Sequence, residues 1–166
     1  EQQVVAWHRH IFGGAFGSGN SVCESVATIP TDSSEYQTYV IVKRTINSVT
    51  RRYVEYINNY DFDETDDTTF NFLDSQLEYS GSAATTISGL DHLEGQTVSV
   101  LADGSTHPNK TVTSGSITLD RSATKVKVGL GYTSLLQTMR LDAGSQDGTS
   151  QGKTKRIFDI TIRLYE

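Results

Sequence analysis

Four histidines, His8, His10, His92 and His107, are the side chains best suited to catalysis or metal binding. His8 and His10 stand two apart in text that reads as a strand, so they share a face and could offer two ligands to a metal. No third ligand stands at a telling spacing, and a structural or surface role is the expected one. His92 lies in Asp91-His92-Leu93-Glu94, where a short turn would gather three polar groups into a local hydrogen-bond network. His107 precedes Pro108 and is expected in a solvated loop. The single cysteine, Cys23, excludes an internal disulfide. A nucleophilic thiol needs a positioned base, and none is in view, so Cys23 is expected as a half-buried filler.

Asp61, Asp63, Glu64, Asp66 and Asp67 place five carboxylates in seven residues. Like charges repel and stay solvated, so this run reads as a linker. A calcium loop wants Gly at its sixth position and Glu at its twelfth. Counted from Asp61, those positions hold Asp66 and Phe72. The glycines of Gly14-Ala15-Phe16-Gly17-Ser18-Gly19 suggest a phosphate loop, which needs a helix to follow it. Strand text, Ser21-Val22-Cys23-Glu24, follows instead. Tyr36, Tyr39, Tyr53, Tyr56 and Tyr60 could stack on sugars or fill a seam between sheets, and the seam is the expected use. Asn109-Lys110-Thr111 fits a glycosylation acceptor, a triplet common by chance. No catalytic, cofactor-binding or metal-ligating residue is assigned. No cofactor is expected, and the chain is not expected to be an enzyme.

The elements that must position these groups are strands. Ser, Thr, Val and Gly crowd the text, and no window carries a sustained helical period. Strands are expected near residues 2–11, 21–29, 37–46 and 51–58. Together they form a four-stranded antiparallel meander over residues 1–60, shaped like a propeller blade. Such a blade cannot bury both faces alone. The acidic linker covers residues 61–71. Short strands near 72–79, 85–88, 97–101, 110–113, 116–119, 125–130 and 135–141 then predict a small β-barrel over residues 72–142. Val126, Val128 and Leu130 are expected inside it, as are Leu90 and Leu93 from a helical turn between Gly89 and Gly95. The last strand, Arg156-Ile157-Phe158-Asp159-Ile160-Thr161-Ile162-Arg163-Leu164, alternates cleanly. Residues 156–166 are expected to return to the first sheet or open a next blade, which makes the barrel an insertion in an all-β protein.

The 166 residues carry 14 basic and 20 acidic side chains, a net charge of −6, which excludes a generic nucleic-acid binder. No apolar run approaches about 18 residues, so no membrane span is expected. The chain starts and stops in strand text and is expected to be a piece of a longer protein.

Three stretches carry a family resemblance. They are Val4-Val5-Ala6-Trp7-His8-Arg9-His10, Glu24-Ser25-Val26-Ala27-Thr28-Ile29-Pro30 and Val40-Ile41-Val42-Lys43-Arg44-Thr45-Ile46, with Arg52-Tyr53-Val54-Glu55 behind them. With residues 85–104 and Val128-Gly129-Leu130-Gly131-Tyr132-Thr133-Ser134, they resemble the tail tubular protein B (tail nozzle) family of phages and prophages. The inserted region resembles, in fold alone, the small β-barrel of ubiquitin-activating enzymes. Tyr39 stands where the family pattern has Trp, and the acidic linker is unusually charged. The resemblance implies a structural virion protein of a phage tail, assembled as a ring of identical copies around the DNA ejection channel. Implied partners are those copies, tail adaptor and tail fibre proteins, and double-stranded DNA passing without specific binding. Two alternatives stay open: a host-surface module binding glycan or protein, and a depolymerase of host polysaccharide.

Overall fold

The computed structural model describes residues 9–31, 36–58 and 66–135 and the single positions 137, 154, 156, 159 and 161. Near the start, β1 (Ala15–Phe16) and β2 (Gly19–Asn20) make a small hairpin across Gly17, whose φ is 60°. The glycine-rich run is therefore a tight turn. The first larger sheet is a meander of β3 (Val22–Pro30), β4 (Tyr36–Ile46) and β5 (Val49–Ile57), all antiparallel. Asn47 and Ser48, at φ 48° and 62°, make the two-residue turn whose twist suits a hairpin. Along β4, Val40, Val42, Arg44 and Ile46 are buried on one face. On the other, Tyr39 pairs with Tyr56 and Ile41 with Val54, and Val54 is 73% exposed.

Two expectations change here. Residues 1–8 lie outside the described chain, and Arg9, His10 and Ile11 are not in strand. Cys23 is exposed rather than half-buried. It sits beside a register shift in the outermost described strand of the sheet, where every residue of β3 is exposed.

The second sheet is built from β6 (Asp74–Ser88), β7 (Thr97–Ala102), β8 (Ser105–Thr111) and β9 (Ser116–Leu130), in the order β6-β9-β7-β8. The expected strands at 72–79 and 85–88 are the two halves of β6. Those at 116–119 and 125–130 are the two halves of β9. Ser80 pairs with Lys125, Ala84 with Ala123 and Thr86 with Thr118, so extra residues fall first on one strand and then on the other. Such bulges bend a pair and raise its twist. Bent there, the sheet curls round a core of Ile87, Leu90, Leu93, Val98, Val112, Ile117, Val126, Val128 and their neighbours. Leu90 and Leu93 flank and close a 3-10 turn over Asp91–Leu93, facing inward as expected. Asp103-Gly104 and Ser114-Gly115, all at positive φ, make two tight turns.

His107 corrects the sequence reading: it lies in β8 and is 8% exposed. Its ring faces β9, where Nε2 accepts the Asp120 backbone N–H at 2.9 Å while Nδ1–H donates to the Pro108 carbonyl at 2.9 Å. The Lys110 ammonium meets the Asp120 carboxylate at the same seam. Side chains thus bridge β8 to the first half of β9. Pro108 is tolerated because β8 is an outer strand.

The chain divides into residues 1–133 and residues 134–166. In the second unit, Leu135 and Gln137 are exposed and not in strand, and the rest of the strand expected at 135–141 lies outside the described residues. The final strand likewise lies outside them, apart from Arg156, Asp159 and Thr161, which are exposed. The described architecture is all-β, made of antiparallel sheets.

Candidate functional site

A cleft of about 600 Å³ opens between the two larger sheets. β5 contributes Tyr53 to Ile57, the segment entering β6 and the start of that strand contribute Asn71 to Gln76, and His10, Phe12, His92 and Tyr132 are among the other lining residues. Its geometry is set by one carboxylate. Asp74 accepts the Gly13 N–H at 2.6 Å and His10 Nε2–H at 2.9 Å, fastening the chain before β1 to the first residue of β6. The His10 ring stands edge-on to Phe12 and Tyr132, with centroids 5.0 and 4.6 Å away. Gly13 is required at this crossing, because a Cβ there would stand 2.9 Å from the Leu130 Cβ. Its carbonyl accepts Arg44 Nε–H at 2.7 Å and the Ser21 hydroxyl at 2.8 Å. Arg44 is fully buried and turns the rest of its guanidinium onto both Glu55 oxygens.

The cleft therefore presents aromatic faces, a His–Asp pair and carboxamides. Among the described residues, no hydroxyl or thiol hydrogen-bonds to the His10 or His92 ring. His92 Nε2–H donates to the Ser75 carbonyl at 3.1 Å, so it holds backbone. Its turn does collect polar groups, each sent to a different place. Glu94 accepts the Ser114 and Gly115 N–H groups at 3.0 and 2.7 Å. His8 lies outside the described residues, and His10 is committed to Asp74. Among the described residues no three His, Cys, Asp or Glu side chains converge as metal ligands would. Of the tyrosines expected to fill a seam, Tyr36, Tyr39 and Tyr56 are exposed, Tyr53 is half-buried in the cleft wall with the Arg44 guanidinium 5.9 Å from its ring centre, and Tyr60 lies outside the described residues.

A second cluster escaped the sequence reading. The acidic run is described only from Asp66, and there it is held against the second sheet. Asp66 caps the 3-10 turn Asp67–Thr69 by accepting from Thr68 N–H at 3.0 Å, and it also accepts from Lys125 Nζ at 3.0 Å. The Thr68 hydroxyl, Lys125 and the Thr68 N–H together pull its pKa down from 3.8 to about 2. Two residues along β9, Lys127 is 4% exposed. Its Nζ donates to the Thr69 carbonyl at 2.6 Å and to Asn71 Oδ1 at 3.0 Å, and burial pushes its pKa down. Alternation had placed Val126 and Val128 inside and left Lys127 to the other face, as it is. What alternation could not supply was the cover on that face, residues 69–76 lying across β9. They approach so closely that a Cβ on Gly129 would stand 2.8 Å from the Asp74 carbonyl oxygen.

No family model and no curated protein matches the chain. Fold and clusters define the class, an all-β protein with two antiparallel sheets clasped at Asp74. Among the described residues, no helix is long and apolar enough to cross a membrane.

Proposed function

We propose that this chain is a structural component of a bacteriophage tail, part of a nozzle or tail tube that assembles as a ring of identical copies around the DNA ejection channel in the virion. One observation carries the reading. Among the described residues β3 pairs only with β4 and is exposed along its length, and β5 pairs only with β4. Sheet edges with no partner strand among the described residues, and exposed aliphatics such as Val26, Ile29 and Val54, are what a neighbour in an assembly covers. The resemblance of its strand motifs to those of tail nozzle proteins suggests the phage context. In this reading the meander is one blade of a propeller-like body and the curled sheet is its barrel insertion. Tail adaptor and fibre proteins are the neighbouring parts, chemistry is left to other proteins, and the net charge of −6 lets DNA pass without being held. The test is electron microscopy of the full-length protein and of virions. Rings placed at the tail tip support the reading; a protein that stays monomeric and is missing from virions ends it.

A second reading rests on the aromatic cleft: a module that binds host-surface glycan or protein. It predicts saturable binding to host envelope that is lost when Tyr53, Tyr56 and Tyr132 are replaced by alanine.

A further inference from the structure

We propose that Lys127 and Asn71 join in an intramolecular isopeptide bond, which ties the segment leading into the curled sheet to the last strand of that sheet. The two side chains already touch, with Nζ 3.0 Å from Oδ1. Lys127 is almost wholly buried between this segment and β9, and a small cavity beside it is lined by Phe70, Phe72, Val100 and Leu101. Attack needs a neutral amine, and an apolar surrounding disfavours the ammonium. The direction of the Lys127 shift agrees: burial lowers it.

The carbonyl is prepared as well. Gln76 Nε2–H donates to the same Oδ1 at 2.6 Å, where it stabilises the negative charge that grows on this oxygen during addition. Asn71 Nδ2 is held by the Thr69 carbonyl at 3.2 Å, the group that also accepts from Nζ at 2.6 Å. Glu78 Oε2, at 3.9 Å, is the carboxylate near Nζ. Once neutral, the amine keeps the Thr69 carbonyl as acceptor, gives up the N–H it donates to Oδ1, and turns its lone pair to Cγ of Asn71. The Nζ–Cγ bond forms and the Cγ–Nδ2 bond breaks. Glu78 takes a proton from Nζ and returns it to Nδ2, which leaves as ammonia. An amine and a primary amide become a secondary amide and ammonia, with no change of oxidation state. Fixed proximity replaces the activation that such an exchange needs in solution.

The bond would close residues 71–127 into one covalent ring holding β6, β7, β8 and most of β9. A pull applied before residue 71 and after residue 127 would then pass through the cross-link without unfolding the sheet. The inference stands apart from the proposed tail assembly.

Mass spectrometry of the full-length chain tests it. The folded wild-type protein, denatured for measurement, is expected to be lighter by one ammonia and to yield a branched peptide containing both Lys127 and Asn71. It should run faster than Lys127→Arg on a denaturing gel. Lys127→Arg and Asn71→Ala are expected at full mass, and Glu78→Gln as a slowly converting mixture. Full mass for wild type after prolonged incubation in the folded state overturns the proposal, whether or not the variants fold. So does loss of ammonia with Lys127 still in a linear peptide, which marks a succinimide.

Discussion

Arg44 concentrates the cost of burial in one side chain. It is 0% exposed and survives inside the first sheet because Glu55 and the Gly13 carbonyl occupy its donors. Removing one partner of such a pair strands the other, at about 3–5 kcal/mol. Arg44→Ala is therefore expected to lower stability by that amount in urea denaturation, and an unchanged midpoint would show that the pair is idle. Asp66 acts through pH. Its folded pKa of about 2 lies below the value near 4 of an unfolded aspartate. The folded state thus binds fewer protons across this window. Its contribution is complete above about pH 4 and lost as the pH falls towards about 2. Asp66→Asn should flatten that acid limb in denaturation curves taken across the window. Asp103 and Asp120 are also lowered, by hydrogen bonds from the Lys125 N–H and from Lys110 respectively, so some slope should remain. Equal slopes in both proteins would remove Asp66 from the account.

Turns and seams decide the elements. Ser48 holds φ 62° without being glycine, a left-handed conformation that costs a side-chain-bearing residue about 1 kcal/mol. Ser48→Gly relieves the strain but frees the unfolded chain, so a net gain of no more than about 0.5 kcal/mol is expected in thermal or urea unfolding. At the β8–β9 seam, His107→Leu keeps the bulk and removes the acceptor for the Asp120 N–H. The Asp120 donor is only part-buried, so its loss of a partner should cost at the low end, about 1 kcal/mol, and faster hydrogen exchange at the Asp120 amide should report it first. The strands themselves were legible, because alternation at β4 and β9 and the Asp103-Gly104 turn are local signals. Their continuity was not. The bulges in β6 and β9 interrupt the period of two, and an interrupted period reads as a strand end.

For the whole molecule, the exposed edge strand β3 is the surface on which assembly would act. Val26, 64% exposed on β3, lies where lysine is a natural block to strand pairing. Val26→Lys is expected to leave monomer stability within about 0.5 kcal/mol, as surface changes usually do. If β3 is an assembly edge, the same change should reduce self-association in sedimentation velocity. Unaltered association would place the contact elsewhere.

Sequence alone determined the all-β class, most strand positions, and Leu90 and Leu93 as core, because each follows from periodicity or from backbone preference within a few residues. Tertiary structure alone decided the pairs that matter chemically. Asp74 meets His10 across 64 positions, and Lys127 meets Asn71 across 56. It also exposed Cys23 and buried His107, reversing both local readings. Burial and partnership depend on which distant segment crosses over a strand, and a side chain's neighbours along the chain do not carry that information.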